Sequence, residues 1–269
     1  MKKITVLIFS LFLQNLLLAQ TNNSENYGLV TYERILNFDN KPESTIFSLF
    51  FNPNSSVFYE NRKEIIEETT MKPITDDEFD LSFEVKFNGS KYIVLTDFEK
   101  DSIQSQVSLF SEGKQQTYIV QEKINNIKWT ILSEFSTIND FKTQKAIGEF
   151  RGRKFNVWFT NQIPVKYGPW KLNGLPGLIL EVSDERNEVM FYAKSIKIPF
   201  NINSKSKSDF EFNSDFEKIS LTNYLNLKQE QVNEVKNLFI SKLPRGAKME
   251  ISNIKSNSIE LEYEKLIKN

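Results

Sequence analysis

The chain reads as a mainly β protein: one curled antiparallel sheet or open barrel-like domain, with a single helix packed on it near the C-terminus. Three observations predict this. Short segments alternate apolar and polar residues with period two and are bounded by Asn, Gly and Pro, the pattern of half-buried strands. The spacings between them are mostly too short for the crossovers that parallel strands need, so neighbours should pair antiparallel. One stretch, 227–243, carries a sustained helical period.

Strands are expected first at 29–32, 45–51 and 56–59, the last two separated by the turn Asn52-Pro53-Asn54. Residues 61–80 are charged and lack alternation, and Pro73 limits any helix there, so they read as an exposed connection. In the clearest hairpin, Leu81, Phe83, Val85 and Phe87 alternate with Ser82, Glu84 and Lys86. Asn88-Gly89 supplies a type I′ turn and 92–95 returns. Further strands are expected at 106–110, 117–121, 128–132, 144–150 and 154–160. In the last, Phe155, Val157 and Phe159 share one face, while Lys154, Asn156 and Trp158 share the other. Residues 178–182 and 189–198 should pair through the charged turn 183–188, and 201–218 reads as a loop or solvated hairpin. The helix has Asn226 as its expected cap and Gln229 at the capping-box position. Val232, Val235, Leu238 and Phe239 make one face, and Pro244 and Gly246 end it. A last strand is expected at 259–263.

The first twenty residues have the three parts of a secretory leader: Lys2 and Lys3, an apolar run over 4–18, and Ala19 as the small residue for cleavage. The expected organisation is a signal peptide at 1–20 and one β-rich domain at 21–269. The apolar run is shorter than a membrane span, and no later segment approaches one, so the mature chain is expected not to span the membrane. It has no cysteine for lipid attachment.

Composition excludes several chemistries. With no Cys there are no disulfides, thiolate nucleophiles or thiolate metal sites. With no His, a Ser-His-Asp triad, an imidazole base and the usual zinc sites are impossible. Carboxylate, Lys or Tyr acid–base chemistry and oxygen-only Ca²⁺ or Mg²⁺ sites remain open. No EF-hand, Walker or dinucleotide motif is present, so no catalytic, cofactor-binding or metal residues are assigned. A net charge of −1 without a basic block argues against nucleic acid as a partner. The 23 Phe residues are expected to form most of the core.

Unusual residues concentrate between Ala146 and Val182. Four of the nine Gly and three of the eight Pro residues fall between Gly152 and Gly177, which specifies a sharply defined path between two strands. Gly174-Leu175-Pro176-Gly177-Leu178-Ile179 reads as a tight entry into a buried strand. Gly174 can take a positive φ, Pro176 fixes its φ near the helical value, and Gly177 admits a close backbone or a bulge. The uninterrupted run Leu178-Ile179-Leu180 is expected to be buried on both faces, beneath the helix or inside a curled sheet. The rival reading is an anion-binding loop assisted by Arg151 and Arg153.

These residues resemble the hallmark of the GLPGLI family, exported proteins of Gram-negative bacteria with no assigned biochemical activity. Lys145-Ala146, Phe150-Arg151-Gly152-Arg153, Trp158-Phe159-Thr160, Ile163-Pro164 and Gly168-Pro169 are similar to that family's surrounding pattern. Ser258-Ile259-Glu260-Leu261 resembles its Pro-Ile-Glu-Leu ending, with Ser258 in place of Pro. A cysteine frequent in the family two positions before Lys145 is Thr143 here, so no redox or disulfide role carries over. The resemblance implies export and supplies no catalytic residues. Family members are often encoded beside TonB-dependent outer-membrane receptors, which implies an envelope partner of that kind.

The expected role is therefore a non-catalytic periplasmic or outer-membrane-associated protein, or a secreted one, that binds a protein, peptide or lipid-like partner. Arg151, Arg153, Trp158 and Trp170 are the candidate binding surface, and an apolar concave face lined by Trp158 and Phe residues would favour this reading. The alternative is a carboxylate- and Arg-dependent enzyme built on Glu149, Arg151, Arg153 and Tyr167, which a deep polar pocket around them would favour. Glu149, Glu181 and Asp184 are a further candidate carboxylate group, weighed against a solvated face.

Overall fold

The computed structural model describes residues 27–38, 40–61, 91–111, 114–124, 126–200, 215–242 and 259–260. The expected leader, the strand at 81–87 with its Asn88-Gly89 turn, and the end of the expected last strand lie outside them.

Among the described residues there are twelve strands: β1 (Gly28–Phe38), β2 (Lys41–Phe51), β3 (Ser55–Glu60), β4 (Ile93–Asp97), β5 (Ser102–Ser111), β6 (Lys114–Lys123), β7 (Trp129–Ile138), β8 (Phe141–Phe150), β9 (Arg153–Thr160), β10 (Leu178–Asp184), β11 (Val189–Lys197) and β12 (Glu217–Ser220). They are followed by the helix α1 (Leu221–Lys242). All the strands belong to one sheet in the order β12-β6-β5-β4-β3-β2-β1-β11-β10-β9-β8-β7. Two antiparallel meanders, β1 to β6 and β7 to β11, are joined where β1 pairs antiparallel with β11.

The sheet curls strongly. Phe58 on β3 and Phe191 on β11 bring their ring centroids within 6.1 Å. Three strand spacings would hold them roughly 14 Å apart on a flat sheet. Glu122 on β6, second in the strand order, pairs with Arg151 just beyond β8, eleventh in that order. The ends of the sheet thus approach one another, yet among the described residues no ladder closes them, and the sheet stays open. The continuous apolar run Leu178-Ile179-Leu180 is fully buried because β10 lies inside this curl. The helix instead contacts β5, β6 and β12.

The concave side is filled by the chain itself. Ile163, Tyr167, Trp170, Leu172 and Leu175, from the connection 161–177 between β9 and β10, share one core with Val30, Tyr32, Phe47, Phe58, Phe155, Phe159 and Phe191. Burying each such side chain is worth about 1.5–3 kcal/mol. A tight β8–β9 hairpin feeds this core: Phe150 faces Arg153, and the two loop residues Arg151 and Gly152 have φ of 52° and 77°. Two positive φ values are the signature of a type I′ turn, whose twist matches that of the strands.

Two expectations are corrected. The segment 201–218 is not wholly loop, because residues 217–220 form β12, parallel to β6. Ile219 explains this, since it completes a small core with Leu109, Tyr118 and Val120. The helix then begins at 221, not 227. Ser220 Oγ accepts the N–H of Asn223 at 3.1 Å and caps it, while Asn226 lies exposed within the second turn. Leu221, Tyr224 and Leu227 pack on that small core, so the first turns anchor α1.

Candidate functional site

The Gly174-to-Ile179 segment is built into the interior. Gly174 has φ +95° and donates its N–H to Lys166 O at 3.0 Å. A Cβ on Gly177 would lie 2.1 Å from the carbonyl oxygen of Thr160, so only a residue without a side chain lets the backbones pass here. Leu175, Leu178 and Ile179 are buried. Leu178 N–H donates to Ile163 O, Ile179 N–H to Tyr167 O, and the buried Tyr32 hydroxyl to Ile179 O at 2.6 Å. The pairing of β9 with β10 shifts register between Ile179 and Glu181, a bulge just past the motif. These contacts are internal, and Gly174 and Pro176 are its exposed residues.

Three of the four residues expected on a binding surface are buried. Arg151, Arg153 and Trp170 are 8%, 2% and 3% exposed, so their place as an open surface is corrected. Arg153 continues the inward phase of Phe155, Val157 and Phe159. Its Nη1 donates to Asp184 Oδ2 and Glu188 Oε2, both at 2.7 Å, and its Nε donates to Ile259 O at 2.8 Å. Asp184 also accepts the N–H groups of Glu188 and Val189. Trp170, at φ 60°, donates its indole N–H to Tyr92 Oη at 3.1 Å and packs edge-on to Phe150.

Arg151 enters a second buried cluster at the seam where the sheet's ends approach. It pairs with Glu122 and lies 3.7 Å from Glu260. Lys171 Nζ donates to Glu122 at 2.5 Å and to Glu260 at 2.9 Å. Burial works against the charge of Lys171, but Glu260 and Glu122 outweigh it and hold the ammonium charged to higher pH than usual. Tyr92, Ser105, Tyr224 and Leu221 surround a cavity of about 50 Å³ beside these groups, enough for a few waters rather than a substrate. Burial pushes Tyr92 up to about 12 and raises Tyr224 as well. The geometry is that of a clamp joining β6, the β8–β9 turn, the 161–177 connection and Ile259-Glu260. Sequence reasoning named Arg151 but missed Glu122, Lys171 and Glu260. Glu122 was signalled by its phase, which continues that of Tyr118 and Val120.

The residues of the enzymatic alternative are not gathered. Glu149 is exposed on the outer face, Arg151 and Arg153 leave their turn for different carboxylates, and Tyr167 packs between Phe51 and Phe98 at 5.9 and 5.2 Å. Asp184 is held by Arg153, while Glu149 and Glu181 stand on the opposite face of the sheet.

A larger concavity than the one at the seam is a cleft of about 600 Å³ at one end of the curl, lined by Phe51, Ile163 and Tyr167 at its buried side and by Phe98 and Val165. Pro53, Pro164, Lys166, Ile198 and Pro199 form its exposed rim, with Gln162. Its size and mainly apolar lining are those of a small-molecule site. Among its lining residues, the Tyr167 hydroxyl is a buried polar atom with no hydrogen-bond partner among the described residues. The expected concave surface of Trp158 and Phe is not this cleft. Trp158 stands half-buried on the outer face, where the Lys145 ammonium lies 5.9 Å from its ring centre. Among the described residues, no group of three or more carboxylates is placed to hold a metal ion.

Residues 113–181 match the model of a family described as protein of unknown function, Porph_ging. No curated protein matches the chain. Among solved structures, the chain is similar in fold to PNGF-II. In its P21 crystal form the TM-score is 0.53 at 14% identity over 77% of this chain and 34% of that one. In the C2 form the values are 0.52, 16%, 77% and 33%. The chain thus spans about a third of the length of PNGF-II. A DUF1329 family protein from Desulfovibrio piger, 11% identical, aligns over 72% of this chain and 94% of that one with a TM-score of 0.31.

Proposed function

We propose that this is an exported, non-catalytic protein of the bacterial envelope that binds an apolar, lipid-like ligand in the cleft between the 161–167 segment, Pro53, Phe98 and Ile198-Pro199. The observation that carries the reading is the cleft itself. It has about 600 Å³ walled by aromatic rings, prolines and aliphatic side chains, with no buried carboxylate or cation among its lining residues. A reacting site would need convergent acid–base groups, whereas an apolar ligand needs a preformed dry surface. Export follows from the leader read at 1–20, and membership of the GLPGLI family from the motif at 174–179 and its surroundings. The same resemblance extends the reading to an envelope partner such as a TonB-dependent receptor.

The test is titration with a fluorescent fatty acid. Ile198 is 44% exposed at the rim, so Ile198→Glu leaves the core intact while placing a carboxylate at the mouth. Saturable binding by the wild-type protein, weakened about tenfold or more by Ile198→Glu, supports the reading. Binding that is absent, or indifferent to Ile198→Glu, removes it. Affinity capture from the native envelope, with both lipids and proteins identified, would name the physiological ligand. Sequencing the N-terminus of that material should find Gln20 or Thr21 first, and intact Met1 in the cytoplasm would overturn export.

A further inference from the structure

The outer face of the sheet carries a second feature, independent of the cleft. Residues directly opposite on neighbouring antiparallel strands share a face. The pairings Lys145 with Trp158, Trp158 with Glu181, Glu181 with Tyr192, Tyr192 with Glu33, and Glu33 with Ile46 therefore define one straight row across β8, β9, β10, β11, β1 and β2. Both outlying charges of the row are already neutralised. Lys145 pairs with Glu134 at 2.8 Å, and Glu33 pairs with Lys194 at 2.9 Å and accepts from Ser44 at 2.7 Å. Glu181, at the centre, is half-buried and has neither a hydrogen bond nor an ion pair among the described residues. Its flanking neighbours are two half-buried aromatic rings, Trp158 and Tyr192, set roughly 10 Å apart by two strand spacings.

The geometry points to an arginine side chain of a partner polypeptide as the occupant of this row, its guanidinium seated on the Glu181 carboxylate between Trp158 and Tyr192. Charge complementarity supplies the first argument, because among the described residues the one uncompensated charge of the row is negative and partly withdrawn from water. Shape supplies the second. A guanidinium is planar, meets a carboxylate with two parallel hydrogen bonds and stacks on aromatic faces, whereas an ammonium does neither of the last two as well. Trp158 already accepts a cation in this protein, the Lys145 ammonium at 5.9 Å from its centre. A row on the convex outer side of the curl offers no concavity, so it suits an extended chain better than a small molecule. The shift of Glu181 fits this picture: burial raises its pKa, as expected of a carboxylate lacking the counter-ion that would lower it.

The experiment follows the indole resonance of Trp158 in the full folded protein with isotope-labelled tryptophan, assigned by its loss in Trp158→Phe. The probes are acetyl-Gly-Gly-Arg-Gly-Gly-amide and the same peptide with citrulline, which keeps the shape of arginine and loses its charge. The expected result is a saturable shift with the arginine peptide and binding about tenfold or more weaker with citrulline. Glu181→Gln should erase the difference while leaving the spectrum well dispersed. No shift with either peptide, equal responses to both, or an arginine preference that survives in Glu181→Gln overturns the proposal. A stronger response to phosphocholine or to maltotriose than to the arginine peptide also overturns it, and reassigns the face to a lipid headgroup or a glycan.

Discussion

At the scale of single residues, the decisive positions are those where the interior leaves no slack. Gly177→Val would drive a side chain into the Thr160 carbonyl, and because the obstacle is backbone the strand must shift rather than a rotamer. The expected loss is about 2–4 kcal/mol in urea denaturation, with a similar loss for Leu178→Ala through the cavity it opens. Wild-type stability with lost binding would instead make the motif a site. Arg153 belongs in the same class. Its side chain is 1% exposed and is the charge partner of the buried Asp184, so Arg153→Ala should cost about 3–5 kcal/mol by leaving that carboxylate without its cation. A change below about 1 kcal/mol would mean that the side chain is effectively solvated. The burial of Arg153 was legible in its phase with Phe155, Val157 and Phe159. That of Trp170 was not, because no period governs an irregular connection.

At the scale of elements, strand phase was read well and ends were read poorly. Alternation placed β9 within a few residues, because inward and outward positions differ sharply in polarity there, while an uninterrupted apolar run placed β10. Observed β1 and β7 run several residues beyond their expected ends, because ladder hydrogen bonds carry strands through sequence that does not alternate. The helix start was misplaced for a local reason. Ser220 and Asn226 are both competent caps, and the choice fell to Ser220 because β12 brings Leu221 and Tyr224 onto the small core. Ser220→Ala should therefore lower stability by about 1 kcal/mol. Asn226→Ala should stay within about 0.5 kcal/mol. Comparing their melting curves and the exchange of the first helical amides separates the two caps.

At the scale of the molecule, the seam cluster and the buried tyrosines set the response to pH. Tyr92 ionises near 10 in an unfolded chain but is pushed up to about 12 by burial in the folded one. Burial also raises Tyr32, Tyr167 and Tyr224. A group whose folded-state value is raised contributes stability that is fully present below its unfolded value and lost as pH rises through the folded one. The raised Lys171 acts with the same sign. The fold should thus hold up to about pH 10 and fail between there and about 12. Tyrosinate absorbance should rise together with the loss of circular dichroism. Tyrosine ionisation well below the unfolding transition would show these hydroxyls to be hydrated.

Sequence alone determined the class of the protein, its missing chemistries and the special character of residues 174–179. Period, turn residues and the absence of His and Cys are local or additive properties, and they need no knowledge of what lies across the sheet. Tertiary structure decided the rest. Whether β10 ran beneath a helix or inside a curl, whether Arg151 met solvent or Glu122, and where Ile163 and Ile198 came together to line a cleft all depended on strand order and curvature. Those are set by contacts between segments far apart in the chain. A period-two pattern records which face a side chain takes, and not which distant side chain it will meet there.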